Sequence, residues 1–284
     1  MVRVQPGEYR KAPHGRAARR SVRIACQKGG LGAPHSGLTY PRQVSKLQKI
    51  VRAIRAAARD PRGLAKDMAR LPLEREAAAL ISTLPVVELS DLTGDTARAS
   101  VSVPPRSTRQ DWSLGTAEQI VLQLLVRIRG CRTAFELGTF NGATTRVIAE
   151  ALPSDGKVWT LDLPEAQFDA TQRPPGMDAR GVGTAYRSSP AASKIIQLFG
   201  DSLDFDFAPY AWSADLVLVD AGHEYANGLA DTNTALGIVR SGGIILWDDF
   251  TPYWHGLVRG ICDAMDGRPF GRLAGTALAT YESD

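Results

Sequence analysis

The feature that most constrains this fold is an alternation, after Trp112, of apolar runs of strand length with segments of helical periodicity. Runs such as RTAFELG, KVWTLDL, ADLVLVDAG and GGIILWDDF are separated by helical segments such as ATTRVIAEAL and GLADTNTALGIV. Apolar strands that alternate with helices indicate a parallel sheet covered on both faces. The closing FGRLAGTALATYES predicts two short strands around Gly275. We therefore predict an α/β fold with a doubly wound, mostly parallel seven-stranded sheet and an antiparallel hairpin strand at its carboxyl end.

The residues before Trp112 predict a separate amino-terminal part. Residues 1–42 are rich in Gly, Pro, Arg and Ser and have no period, which predicts a disordered tail. Residues 44–59 have the periodicity of an amphipathic helix, and GLAKDMARLPLEREAAALIS predicts a second helix. A polar, turn-rich connection is expected from Leu84 to Asp111. The predicted division is thus a tail (1–42), a helical extension with its linker (43–111) and a main domain (112–284).

The net positive charge of the chain comes from residues 1–60. Residues 1–60 hold 14 Lys or Arg and 2 Asp or Glu, against 20 and 28 in the remainder. A basic arm of this kind can contact nucleic acid or an anionic membrane. We favour instead a solvated tail, and a helix at 44–59 that packs on its own domain.

Composition also bounds the compartment. No run of 18 apolar residues is present, so a membrane span is not expected. The three cysteines, Cys26, Cys131 and Cys262, form no Cys-x-x-Cys pair, so neither a zinc knot nor a disulfide framework is indicated. A reducing cytoplasm is the simplest prediction.

The stretch FELGTFNGATT places a glycine turn at the end of the first predicted strand. Gly138 and Gly142 are spaced Gly-x-x-x-Gly, unlike the Gly-x-Gly-x-x-Gly that seats a pyrophosphate on a helix amino terminus. Glu136 precedes the turn and disfavours a polyphosphate. A ligand with an ammonium or sulfonium centre suits this turn better.

Acids also follow the next two predicted strands. Asp162 ends the second strand, where a carboxylate can accept hydrogen bonds from two ribose hydroxyls. Asp201 follows the third strand in GDS, in a position to meet an adenine amino group. Either acid alone is equally well explained as a loop or helix-cap residue, but their order along the strands favours an adenosine site.

The segments ELGTFNG, TLDL, GDS, VLVDAGHEY and GGIILWDDF together resemble the successive motifs of class I S-adenosylmethionine-dependent methyltransferases, which have a Rossmann-like fold. The closer likeness is to a bacterial branch of small-molecule O-methyltransferases. The resemblance implies S-adenosylmethionine as the cofactor. The resemblance also assigns residues to this cofactor, in order from its methionine end through the ribose to the adenine. These residues are Glu136, Gly138, Asn141, Gly142, Asp162, Asp201 and Ser202.

Three further acids follow the fourth and fifth predicted strands: Asp220, Asp248 and Asp249. Carboxylates that converge at one edge repel each other unless a cation or protons intervene, and hard oxygen ligands suit Mg²⁺. The arrangement resembles catechol-type and macrolide-sugar O-methyltransferases, which implies a metal site at these positions. The closer bacterial branch often has His-Asp where this chain has Asp-Asp, so metal binding stays open. The alternative is that Asp248 faces the cofactor and Asp249 caps a helix.

His223 lies three residues after Asp220, where the resemblance implies a general base. A histidine can accept a hydroxyl proton at neutral pH. The alternative is that His223 only orients Asp220 or bonds a loop, and His255 is the next candidate for the base. Aromatic residues that could shape an acceptor pocket are Tyr225, Trp247, Tyr253 and Trp254.

The function expected is methyl transfer from S-adenosylmethionine to a hydroxyl of a small molecule, a sugar or secondary metabolite. N-methylation of a small molecule stays open, as does a non-catalytic cofactor-binding module recruited through residues 1–60. A nicotinamide-dependent oxidoreductase is disfavoured by the missing Gly-x-Gly-x-x-Gly, and a base-modifying enzyme by the missing Asn-Pro-Pro-Tyr element. The partner expected is a small-molecule acceptor, and self-association stays open.

Overall fold

The computed structural model of the chain describes residues 60–94, 99–101, 114–164 and 181–284. The tail predicted at 1–42 and the helix predicted at 44–59 lie outside the described residues. Among the helices that are described, none is long and apolar enough to cross a membrane.

Helices and strands alternate along the described chain. The helices are α1 (Pro61–Thr83), α2 (Leu89–Thr93), α3 (Thr116–Ile128), α4 (Ala143–Ala151), α5 (Thr184–Arg187), α6 (Tyr225–Ile238) and α7 (His255–Met265). The strands are β1 (Val86–Val87), β2 (Thr133–Leu137), β3 (Lys157–Asp162), β4 (Ile195–Phe199), β5 (Ala214–Val219), β6 (Val239–Trp247), β7 (Gly271–Leu273) and β8 (Ala279–Glu282). Short 3₁₀ helices span Pro190–Lys194, Ala208–Tyr210 and Pro252–Trp254.

All of these strands form one sheet in the order β1-β7-β8-β6-β5-β2-β3-β4. Only β8 is antiparallel to its neighbours β6 and β7. The doubly wound, mostly parallel architecture and the closing hairpin strand are confirmed. The predicted number of seven strands is wrong by one, because β1 joins the sheet beside β7. Two residues are too few to show a strand period in the sequence.

The sheet is buried on both faces. Every residue of β5 is buried, and its side chains alternate between two apolar clusters, one on each face. Chain order reverses between the adjacent strands β2 and β5, which places a crevice beyond their carboxyl ends. Ligands of open α/β sheets bind in such a crevice. The residues that follow β2, β3, β5 and β6 are therefore the candidates for a ligand site.

The amino-terminal extension packs on the main domain. Helix α1 begins after Asp60, whose carboxylate accepts the backbone N–H of Gly63 at 2.8 Å. The helix predicted here is confirmed, and it packs against α7 and the 3₁₀ helix Pro252–Trp254. The connection predicted from Leu84 is wrong in part, because β1 and α2 lie within it. Each is too short to be distinguished from a turn by its pattern.

We predict that Gly138→Ala destabilises the fold far more than Gly275→Ala. Both glycines have positive φ, +94° and +75°, which costs an alanine about 1–2 kcal/mol. A Cβ on Gly138 would lie 1.9 Å from the carbonyl oxygen of Asp220, whereas one on Gly275 meets no atom within 4 Å. We expect urea unfolding to show a loss of about 3 kcal/mol or more for Gly138→Ala. Equal losses in the two variants would contradict the close approach.

Candidate active site

The glycine turn after β2 is held between β5 and the segment around α5. Gly138 lies against the backbone of Asp220, and Gly142 precedes α4 with φ +81°. A Cβ on Gly142 would lie 2.5 Å from the ring of Tyr186. Both glycines are therefore required by the close packing of the turn.

Glu136 lies beneath this turn and is completely buried in β2. Its Oε2 accepts hydrogen bonds from the hydroxyls of Thr145 at 2.5 Å and Thr160 at 2.6 Å. Its Oε1 has no hydrogen-bond partner in the described structure. Burial raises the pKa of Glu136 to about 8, although the hydrogen bonds from the two hydroxyls lower it. This acid is therefore protonated at neutral pH.

Asp162 joins the turn to the end of β3. Its Oδ2 accepts the backbone N–H groups of Thr139 at 3.0 Å and Phe140 at 2.6 Å, and its Oδ1 accepts that of Leu163 at 2.7 Å. Burial raises the pKa of Asp162, and these three hydrogen bonds oppose the rise. The carboxylate thus fixes the turn, and among the described residues Oδ1 accepts only the hydrogen bond from Leu163.

Asn141 and the pair Asp201–Ser202 are placed by backbone contacts of their own. Asn141 Oδ1 accepts the N–H of Ala143 at 2.9 Å at the start of α4. Asp201 Oδ1 accepts the N–H of Leu203 at 3.0 Å. Gly200 N donates to the carbonyl oxygen of Asp162 at 3.0 Å, so the loop after β4 begins directly beside Asp162.

Asp231 of α6 is a residue that the sequence analysis missed. It is completely buried, and it lies beside Asp201 and Ser202 of the loop after β4. Burial raises the pKa of Asp231 to about 6; the nearby Ser202 hydroxyl lowers it and Asp201 raises it. In the sequence Asp231 lies one helical turn from Asn227 and Ala235, which gave no signal that it faces the loop after β4.

The carboxyl ends of β2, β5 and β6 are level, which brings Asp220 and Asp248 together. Asp220 N donates to the carbonyl of Leu137 at 2.8 Å, and Asp248 N donates to that of Val219 at 3.0 Å. Burial raises the pKa of Asp220 well above its usual range, and Asp248 raises it further. Burial likewise raises the pKa of Asp248 to about 7. The predicted convergence of these acids is present.

His223 and Asp249 form a hydrogen-bonded pair at the same edge. Nε2 of His223 lies 2.8 Å from Oδ2 of Asp249. The His223 ring also stacks on Trp254, with ring centroids 4.1 Å apart and an interplanar angle of 29°. Asp249 has φ +54°, an uncommon conformation that aspartate tolerates better than most residues. The imidazole is held by an acid at its edge and an indole on its face.

The three acids proposed as metal ligands have different partners. Among the residues described, no group of three or more His, Cys, Asp or Glu side chains is placed to hold a metal ion. Asp249 is directed to His223, and the raised pKa values of Asp220 and Asp248 reflect burial and their proximity to other carboxylates. A metal at Asp220, Asp248 and Asp249 therefore stays a prediction.

A cavity of about 460 Å³ lies between α1 and the amino-terminal ends of α6 and α7. Its wall on α1 is apolar apart from Glu76, and includes Leu73, Ala77 and Leu80. Glu224 and His255, which directly follow His223 and Trp254 in the chain, line the other side. The volume is within the range of small-molecule pockets, about 300–1,000 Å³.

We predict that Glu136→Gln stabilises the protein relative to the natural chain as pH rises. The folded chain keeps Glu136 protonated up to about pH 8, whereas the unfolded chain ionises it above about 4.5. The unfolded state therefore binds fewer protons in this window, and stability falls with rising pH by up to about 1.4 kcal/mol per pH unit. Urea unfolding of both proteins from pH 5 to 8 measures the difference, in which other titrating groups largely cancel. A pH-independent difference would contradict the raised pKa.

The part of the chain that is similar to known proteins is the part that carries this site. Residues 135–250 match the model of a methyltransferase domain family. Caffeoyl-CoA O-methyltransferase 1 of Nicotiana tabacum is 26% identical over 54% of this chain and 61% of that protein. Caffeoyl-CoA O-methyltransferase 2 of Zea mays is 27% identical over 54% of this chain and 55% of that protein. The chain thus spans about three-fifths of these relatives.

Among solved structures, the O-methyltransferase TomG from Streptomyces achromogenes has a TM-score of 0.45 and 20% identity, covering 62% of this chain and 83% of that chain. The family match begins at β2, includes the glycine turn and the acids after β3, β4 and β5, and ends just after β6. Residues 135–250 are therefore similar to a methyltransferase domain, in agreement with the resemblance that the motifs carry.

Proposed function

We propose that this protein transfers a methyl group from S-adenosylmethionine to a hydroxyl of a small molecule. The observation that carries the proposal is the His223–Asp249 pair, 2.8 Å apart, at the carboxyl ends of β5 and β6 beside the glycine turn. A base held by an acid is what deprotonation of a hydroxyl requires. The curated relatives are named as O-methyltransferases, which supports oxygen as the acceptor atom.

The cofactor-binding residues of this proposal follow the order of the strands. Gly138, Asn141 and Gly142 lie along the methionine end, with Glu136 beneath them. Asp162 accepts a ribose hydroxyl on Oδ1, and Asp201 with Ser202 meets the adenine. Support comes from the hydrogen bond of Gly200 N to the carbonyl oxygen of Asp162, since it joins the start of the loop after β4 to the end of β3.

In the proposed mechanism, S-adenosylmethionine supplies an electrophilic methyl carbon on a sulfonium. His223 accepts the proton of the acceptor hydroxyl, and the carboxylate of Asp249 stabilises the imidazolium that forms. Once that proton is removed, the acceptor oxygen would be the nucleophile toward the methyl group, and the carbon–sulfur bond pair would leave with sulfur as S-adenosylhomocysteine. Trp254 keeps the imidazole plane fixed, and most of the rate gain comes from alignment of oxygen, methyl and sulfur.

The acceptor is proposed to enter from the cavity between α1, α6 and α7. A Cβ on Gly256, which lines this cavity, would lie 3.5 Å from the carbonyl oxygen of His223. The apolar wall on α1 suits a ring or alkyl body, and the polar opposite wall suits hydroxyl groups. A sugar derivative or secondary metabolite fits both walls. N-methylation is the alternative, and the NMR chemical shift of the transferred methyl group, which depends on whether oxygen or nitrogen carries it, distinguishes the two.

We predict that Asp162→Ala weakens binding of S-adenosylhomocysteine by about 10- to 100-fold, the effect of losing one or two hydrogen bonds to a charged group. Isothermal titration calorimetry measures it. Asp204→Ala is the matched control, because Asp204 is an exposed acid in the loop after β4. Equal affinity in both variants would remove the ribose assignment.

We predict that His223→Ala and Asp249→Asn lower the rate of methyl transfer by about 100-fold or more and spare cofactor affinity. Labelled S-adenosylmethionine and a panel of hydroxylated small molecules supply the assay. His255→Ala tests the competing base, and EDTA treatment tests the metal. Normal turnover in His223→Ala would refute the proposed base; loss of turnover with EDTA, restored by Mg²⁺, would favour the metal site.

A further inference from the structure

Helix α1 lies outside the matched methyltransferase domain, yet one of its side chains reaches the segment that carries Trp254. Nη2 of Arg70 donates a hydrogen bond to the carbonyl oxygen of Tyr253 at 2.7 Å. The guanidinium also lies over the Tyr253 ring, with Cζ 4.2 Å from the ring centroid. The carboxylate of Glu74, one turn along α1, lies 3.5 Å from Nε of Arg70 and forms an ion pair with it. Arg70 thus binds Tyr253 in two ways at once.

The contacts continue from Tyr253 to the candidate base. The rings of Tyr253 and Trp254 meet edge to face, with centroids 4.8 Å apart. Trp254 stacks on His223 at 4.1 Å, and His223 bonds Asp249 at 2.8 Å. An unbroken series of contacts therefore runs from α1 to the imidazole.

The segment between β6 and α7 needs this outside support. Pro252 and Tyr253 are exposed, and Tyr253 keeps 53% of its surface in solvent. A short 3₁₀ helix has few hydrogen bonds of its own to fix its position. A hydrogen bond from a charged donor and a cation–π contact act on the same residue and restrain both its backbone and its ring.

We propose that Arg70 is a positioning residue of the active site, which holds the His223 ring in place through Tyr253 and Trp254. The proposal rests on the proposed function in so far as His223 is the base. It gives the amino-terminal extension a role in catalysis, since α1 fixes the orientation of a group carried by the main domain.

The test compares Arg70→Met with Arg75→Met in the full-length protein. The two variants remove the same charge from the same helix, and Arg75 is exposed on it. Stacking on an indole shifts imidazole ring protons upfield in proton NMR, so the His223 resonances, assigned with His223→Ala, report the stack without any turnover. We expect Arg70→Met to move them downfield and to lower kcat about tenfold at unchanged affinity for S-adenosylhomocysteine. Arg75→Met changes neither, and Arg70→Lys, which keeps the charge over the ring, is intermediate.

A double-mutant cycle shows whether the effect passes through the imidazole. In the His223→Ala background, Arg70→Met should cause no further loss of kcat, because residues that act as one unit are not additive. Unmoved His223 resonances in Arg70→Met would overturn the proposal, as would a full additional loss in the double variant. If His223→Ala has normal turnover, the proposed base is wrong. The His223 resonances in Arg70→Met then still show whether Arg70 positions the His223 ring. Should Arg70→Met fail to fold, Tyr253→Leu removes the ring under the guanidinium and gives the same readouts.

Discussion

The approach of the glycine turn to the end of β5 is the constraint on which the rest of the site depends. Gly138 lies so close to the Asp220 carbonyl that any side chain would collide with it. This contact sets the ends of β2 and β5 level at the point where chain order reverses. As a result, acids that are far apart in sequence, Glu136, Asp162 and Asp220, lie within electrostatic reach of one another. The crevice and its acidic lining therefore have a common origin in the backbone.

That lining explains why the turn differs from a phosphate-binding loop. Glu136 and Asp220 have raised pKa values because they are buried and because neighbouring carboxylates repel their charged forms. A polyphosphate would add repulsion to a site that already suppresses negative charge. A positively charged ligand has the opposite effect, since it favours the ionised carboxylates and is bound more tightly by them. The electrostatics of this edge thus favour a positively charged ligand over a polyphosphate.

The sequence was sufficient for the sheet and for the residues at its strand ends, because both follow local patterns. Apolar runs predicted β2 to β6, and the acid after each strand was visible in the letters. What it could not supply were contacts between distant segments. Arg70 and Tyr253 are 183 positions apart, and nothing in the helical pattern of α1 distinguishes Arg70 from Arg75. Asp231 was missed because a polar residue in a helix predicts exposure, whereas the loop after β4 covers it.

The matched residues 135–250 and the segments on either side of them contribute different parts of the proposed site. The cofactor side is built from turns of the sheet itself, in which glycines and backbone hydrogen bonds leave little freedom for change. The proposed acceptor side combines α1, which precedes the matched residues 135–250, with α7, which follows them. Because an exposed helix face can change its side chains without disturbing the sheet, acceptor specificity is free to vary where the cofactor site is not. The contact of Arg70 with Tyr253 joins α1 to the segment that stacks on the imidazole, so a change at Arg70 would also reach the proposed base.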